Sequence, residues 1–369
     1  MSLTLPEQHT RLDQLRRLAF GLRVFGRGVT PGNVRALAHH LRLKHMDGVE
    51  VPVAAVVGLT YRCQCECVHC SVSASPRRDT QGELSTPELK ALLTGLRELG
   101  VVKVTFFGGE PLVHPDVFEL AEHGVAQGLR ISIDTNGILL TEKTVARLKR
   151  IGISNVNVSL DSPDPDEHND LRRHSQAYER ALAGLRRLAD QGVPAMVSTY
   201  VTNQSLHDGR FARTIEIARE HGASGVKVLL PMVAGRWQER PDMALSEEDE
   251  RIFRDMLDPG YVYVEDALQN LRDGAHRCTA VNKSFIYISP HGDLQPCPAV
   301  PVRWGSVRKE PLRPMLDRMW GHAAFKQDCG ICAMNEPDFR KRVGLPPPGE
   351  GEGHVLVDAG SGQPVAHAK

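Results

Sequence analysis

The chain has 369 residues, 45 Lys+Arg against 45 Asp+Glu, 41% hydrophobic residues and 8 cysteines, enough to bury one large domain or two ordinary ones. Zero formal net charge argues against a protein that grips DNA or RNA through phosphates, and the longest apolar stretch, 51–59, is too short to cross a bilayer. The opening MSLTLPEQHTRLDQ has no apolar stretch of the secretory kind, so a cytoplasmic location is expected, with no membrane or nucleic-acid partner and with cysteines present as thiols or metal ligands.

Residues 1–48 read as a helical extension: two short basic amphipathic runs, 9–26 and 33–43, whose apolar faces are interrupted by Gly and His, which suits packing better than membrane anchoring. Over 49–240 one unit recurs. The apolar runs VPVAAVVGLT, VVKVTFF, LRISIDT, VNVSL, AMVSTYV and GVKVLLP alternate with helical patterns that end near Gly100, Gly128, Gly152, Gly192 and Gly222. The runs read as continuous, so both faces should be covered. This order predicts an α/β fold, a partial (β/α)6 TIM-like barrel with parallel strands and function on the loops after them. Residues 241–277 read as a helical linker containing SEEDERIFRDML. Over 278–343 the segment SFIYISPHGDLQPCPAV predicts a β-hairpin in a small C-terminal domain, and the Gly- and Pro-rich 344–369 predicts a disordered tail.

Three of the cysteines follow the first strand in TYRCQCECVHC: Cys63, Cys67 and Cys70, spaced C-x3-C-x2-C. Three thiolates on one loop can hold three irons of a [4Fe-4S] cube and leave the fourth iron open. Structural zinc asks for four ligands in two pairs, which fits this loop poorly.

At this loop the chain resembles the radical S-adenosylmethionine (radical SAM) enzymes, and three further stretches resemble that family in order. These are FFGGEP with Gly108, Gly109 and Glu110, DTNG with Thr135 and Asn136, and SLD with Ser159 and Asp161. The resemblance implies that the open iron chelates SAM and that SAM cleavage yields a radical that takes hydrogen from substrate. It further implies that Glu110 or nearby carbonyls accept from the methionine ammonium, with the glycines letting backbone approach the ligand, and that Ser159 and Asp161 meet the ribose. In HNDLRRHSQAYERAL, Arg172, or Arg173 beside it, matches the arginine that pairs with the SAM carboxylate, and Gly235-Arg236 would border the adenine. A one-electron donor of flavodoxin or ferredoxin type is implied as partner.

A second set, Cys278, Cys297, Cys329 and Cys332, is sufficient for one closed cluster or a zinc site. Its context resembles the twitch form of the SPASM domain, which implies a second auxiliary [4Fe-4S] cluster. Cys65 is left over, a spare thiol in the first loop, or else a hydrogen donor to substrate or an alternative cluster ligand. The resemblance extends to enzymes that act on a small natural product such as a sugar, aminocyclitol or nucleoside, by dehydrogenation, epimerisation or decarboxylation. The alternatives are a maturase of ribosomally made peptides and, in another class, an iron-sulfur electron carrier or redox sensor without SAM chemistry.

Overall fold

The computed structural model describes residues 11–26, 28–264, 278–326, 332–347, 356–363 and 365. Its main sheet contains the six expected strands, β1 Ala54–Thr60, β2 Lys103–Gly108, β3 Arg130–Thr135, β4 Asn155–Ser159, β5 Ala195–Tyr200 and β6 Gly225–Leu229. To these it adds β7 Val262–Val264, β8 Phe285–Ile288 and β9 Leu294–Gln295, in the order β7-β6-β5-β4-β3-β2-β1-β8-β9. All neighbours are parallel except β8 and β9, which form the expected hairpin. From β1 to β7, helices return the chain between successive strands, as in the helix Thr86–Leu99, which Gly100 ends at φ 106°. The result is an α/β partial barrel.

Three expectations need correction. The stretch 241–264 is not simply a helical linker: after the helix Glu247–Asp255, the β-branched and aromatic residues of β7 pair with β6 and lengthen the barrel sheet, while 265–277 of the expected linker lie outside the described residues. The C-terminal hairpin is not set apart from the barrel, because β8 pairs with β1 along Ala54–Val57. Within 344–369, Val357 and Asp358 pair with Val302 and Arg303, and Arg303 donates to Asp358 at 2.8 Å, so this part of the tail is structured. Glycine content hid the pairing because two residues and one ion pair are too short a signal to read.

The strands are also not continuously apolar. Register sets Thr105 opposite Ser132, Ser132 opposite Asn155, Asp134 opposite Asn157, Ser159 opposite Ser198 and Ser198 opposite Lys227. Side chains alternate along a strand, so one face of the sheet carries these polar groups and the other carries buried Val104, Phe106, Ile131, Ile133, Val156 and Val158. The apolar face packs under the helices and the polar face lines the barrel.

Two N-terminal helices close the end where the strands begin. In α1 (Arg11–Phe25), Phe20 and Val24 pack on Met196, and a Cβ at Gly225, the first residue of β6, would lie 2.8 Å from the Phe20 ring. In α2 (Pro31–His45), Asn33 donates to the Gly128 carbonyl at 2.8 Å and His40 to that of Gly100 at 2.9 Å, both just ahead of β3 and β2. Among the described residues, no helix is long and apolar enough to cross a membrane.

Candidate active site

The opposite end of the barrel holds a cavity of about 110 Å3. Cys63, Cys65, Cys67 and Cys70 line it together with Gly108, Gly109, Thr135, Asn136, Ser159, Asp161 and Arg172. The residues expected from five separate stretches thus converge, with the exception of Glu110.

The cysteine loop is fastened from two sides. β1 runs beside β2, so the Gly109 amide donates to the Thr60 carbonyl at 2.6 Å and the Glu110 amide to that of Arg62 at 2.8 Å. A Cβ on Gly109 would lie 2.1 Å from the Arg62 oxygen and one on Gly108 2.3 Å from the Thr60 oxygen. The glycines therefore admit backbone against backbone, not only backbone against ligand, and this contact sets where Cys63 begins. From below, the Arg236 guanidinium donates to the carbonyls of Cys67 at 2.8 Å and Ala74 at 2.7 Å. Its guanidinium thus fastens the cysteine loop.

Glu110 lies fully buried behind the cavity wall. One oxygen accepts from Thr135 Oγ1 at 2.8 Å and the Leu112 amide at 3.1 Å, the other from the Asn136 amide at 2.8 Å. It orients Thr135 and Asn136 rather than facing a ligand, and burial, against those donors, pushes its carboxyl up to about 7.

Asp161 and Arg172 were expected to serve different parts of SAM, yet here they pair. Arg172 Nε and Nη2 reach Asp161 Oδ2 at 2.6 and 2.5 Å. Burial alone would push the Asp161 carboxyl up, but the Arg172 guanidinium and His69 hold it below the usual range. Among the described residues Asp161 Oδ1 is buried without a hydrogen-bond partner, an acceptor left for a ligand hydroxyl or amine. Arg173 is exposed and ends its helix at φ 51°. His69 sits 3.5 Å from Asp161, its ring against Tyr200 and Trp237.

The sulfurs collect donors. Asn136 Nδ2 points to Cys63 Sγ at 3.6 Å, the Cys65 amide to the same sulfur at 3.4 Å, Arg172 Nη1 to Cys67 Sγ at 3.7 Å and the Ala74 amide to Cys70 Sγ at 3.3 Å. The Cys65 thiol hydrogen bond and then the Arg172 charge pull the Cys67 thiol well below its ordinary value, whereas burial raises Cys70 to about 11. Its own S–H donates to the two flanking cysteines, Cys63 and Cys67, and this, together with burial, pushes the Cys65 thiol well above its ordinary value. Among the described residues no three His, Cys, Asp or Glu side chains converge on one ion. A cube that takes one thiolate per iron does not ask for that convergence, and three donor-stabilised sulfurs around one cavity fit it.

The Radical SAM superfamily matches residues 57–218. The chain carries a radical SAM domain. Its cofactors are accordingly a [4Fe-4S] cluster and SAM, and it requires an electron donor and a substrate. Among similar curated proteins, the AdoMet-dependent heme synthase of Methanosarcina barkeri is 29% identical over 304 residues, 74% of this chain and 86% of that protein. The AdoMet-dependent heme synthase of Nitratidesulfovibrio vulgaris is 26% identical over 309 residues, 74% of this chain and 83% of that protein. Among solved structures, Streptococcus suis SuiB bound to S-adenosylmethionine shares the fold at TM-score 0.56 and 18% identity, covering 70% of this radical SAM enzyme and 63% of the SuiB chain. Native anSMEcpe with bound AdoMet gives TM-score 0.56 at 16% identity, over 72% and 80% of the two chains.

Of the second cysteine set, Cys278 precedes β8, Cys297 follows β9 and Cys332 starts the short turn Ala333–Asn335, each half-buried against the main core. Cys329 lies outside the described residues. Sequence reading missed Asp134 and Asn157, which also line the cavity, and Lys227, whose Nζ reaches Asp134 at 3.1 Å. Their signal was a polar residue at every second position of β3 and β4, and a lone lysine inside the apolar run of β6, masked by the apolar residues between.

Proposed function

We propose that Cys63, Cys67 and Cys70 hold the [4Fe-4S] cluster and that SAM lies beside it, against the Gly108-Gly109 backbone, Thr135, Asn136, Ser159, Asp161 and Arg172. The observation that carries this reading is the convergence of all these groups on one cavity. Bound there, the reduced cluster supplies one electron and SAM supplies the hydrogen-abstracting carbon. The chain's own residues orient and shield. Arg172 offers one guanidinium edge toward the Cys67 sulfur while its other edge fixes Asp161. The free Asp161 Oδ1 accepts from a ribose hydroxyl, Asn136 fixes the Cys63 sulfur, and Glu110 keeps Asn136 in register.

The substrate in this reading is a small molecule. Likeness to heme synthases over most of their length supports that class, which makes an iron porphyrin the first compound to offer, followed by sugars, aminocyclitols and nucleosides. The polar strand face supports it as well, since Asp134, Asn157 and Ser198 give a polar small molecule acceptors and donors next to SAM. Cys278, Cys297, Cys329 and Cys332 would hold a fully ligated auxiliary cluster; in an oxidation the substrate would lose one electron with the abstracted hydrogen atom and the second to that cluster, while flavodoxin or ferredoxin would supply the separate electron that cleaves SAM. Anaerobic turnover with each candidate deuterated at carbon is the test. Deuterium appearing in 5′-deoxyadenosine identifies a substrate, and deuterium from a peptide but from none of these small molecules refutes the class.

A further inference from the structure

The large hydrophobic residues that stand exposed among the described residues all belong to one short stretch of chain. On α1 they are Leu15, Leu18 and Leu22, and on α2 they are Val34, Leu37 and Leu41, each set spaced i, i+3, i+7. Such spacing makes a single stripe along each helix, and in α1 it lies opposite Phe20 and Val24, which plug the barrel. Val29, between the helices, and Met46, just after α2 and 81% exposed, continue the set. The apolar faces point away from the protein they close.

Charge follows the same boundary. Residues 11–45 contain eight Lys+Arg and one acid, Asp13, in a chain that is neutral as a whole, so the remainder carries more acid than base. On α2 the stripe is bordered by Arg35, Arg42 and Lys44. Nucleic acid would use these cations but not the leucines. A second copy would bury the leucines but set one basic face against another. An anionic bilayer uses both, the leucines entering the boundary between headgroups and acyl chains while the cations meet lipid phosphates.

We propose that α1 and α2 form a membrane-docking floor that seats this enzyme on an anionic phospholipid surface. Both helices cap the end where the strands begin, so the docked protein turns its cysteine cavity toward water, open to electron donor and substrate. This departs from the expectation, drawn from the shortness of the longest apolar stretch and from interrupted apolar faces, that the chain has no membrane partner.

The test is flotation of the full-length reconstituted protein with phosphatidylcholine vesicles, with and without phosphatidylglycerol, at low and high salt. Binding is expected only with phosphatidylglycerol, weakened by salt and reduced at least about tenfold by Leu18→Glu with Leu37→Glu. SAM cleavage with a chemical reductant should be unchanged in that variant, which shows that it folds. Three results overturn the proposal: no binding to anionic vesicles at low salt, binding indifferent to the leucine changes, or light scattering that finds a dimer which those changes split. The last would assign the face to a second copy.

Discussion

Arg172→Met isolates the buried pair on which the site is organised. Both guanidinium contacts fall on one oxygen of Asp161, and the two side chains are 11% and 3% exposed, so solvent cannot take over the lost partner. Removing one member of a buried pair leaves an uncompensated charge, which costs about 3–5 kcal/mol. In the parent, Asp161 is held below its ordinary value, so its pairing stabilises the fold above that value and is lost only in acid. In the variant burial is opposed by His69 and His168 without the guanidinium, the carboxyl rises, and stability should improve as pH falls from neutral toward the raised carboxyl range. Anaerobic urea unfolding of the apoprotein, followed by circular dichroism, measures both. Asp161→Asn in the Arg172→Met background removes the stranded charge and should recover roughly half of the loss. A single-variant loss below about 1 kcal/mol, or a double variant no more stable than the single, would refute the buried-pair account.

Other outcomes follow from the same geometry. Glu110 is raised to about 7 from 4.5, so the stability it contributes is complete below about pH 4.5 and declines as pH rises through 7. Glu110→Gln should flatten that decline and, by turning an amide N–H toward the donors of Thr135, Leu112 or Asn136, cost about 1–3 kcal/mol in urea titrations. Cys65→Ala should keep the first cluster, read as unchanged iron content and SAM cleavage. If that variant turns an epimerised product into an oxidised one, Cys65 is the hydrogen donor. Cys332→Ala should lower bound iron by about four atoms per chain while sparing SAM cleavage; unchanged iron with bound zinc would point to a structural zinc site.

The barrel was readable because its signals are local and repeated: six apolar runs, the last five each preceded by a helical pattern that ends near a glycine. The site was readable as residue types, since Cys63, Cys67, Cys70, Gly108, Gly109, Asn136 and Asp161 stand at strand ends where a parallel barrel gathers them. How those residues divide their work was not readable. Asp161 and Arg172 are 11 positions apart and satisfy each other, Glu110 turns inward onto Thr135, and Arg236 crosses to the cysteine loop from 169 residues beyond Cys67. Each depends on which polar atoms burial leaves unmatched, and that is settled only when the elements pack. β7 and the β10 (Val302–Arg303) to β11 (Val357–Asp358) pairing escaped because short strands carry little periodicity.

The most direct measurement counts 5′-deoxyadenosine formed after anaerobic reconstitution, dithionite reduction and addition of SAM, in the parent and in Cys63→Ala, Cys67→Ala and Cys70→Ala. The account predicts product from the parent and none above background from any of the three, with the iron of the second cysteine set retained. Equal product from a variant lacking one of these thiols, or none from a fully loaded and reduced parent, would contradict it.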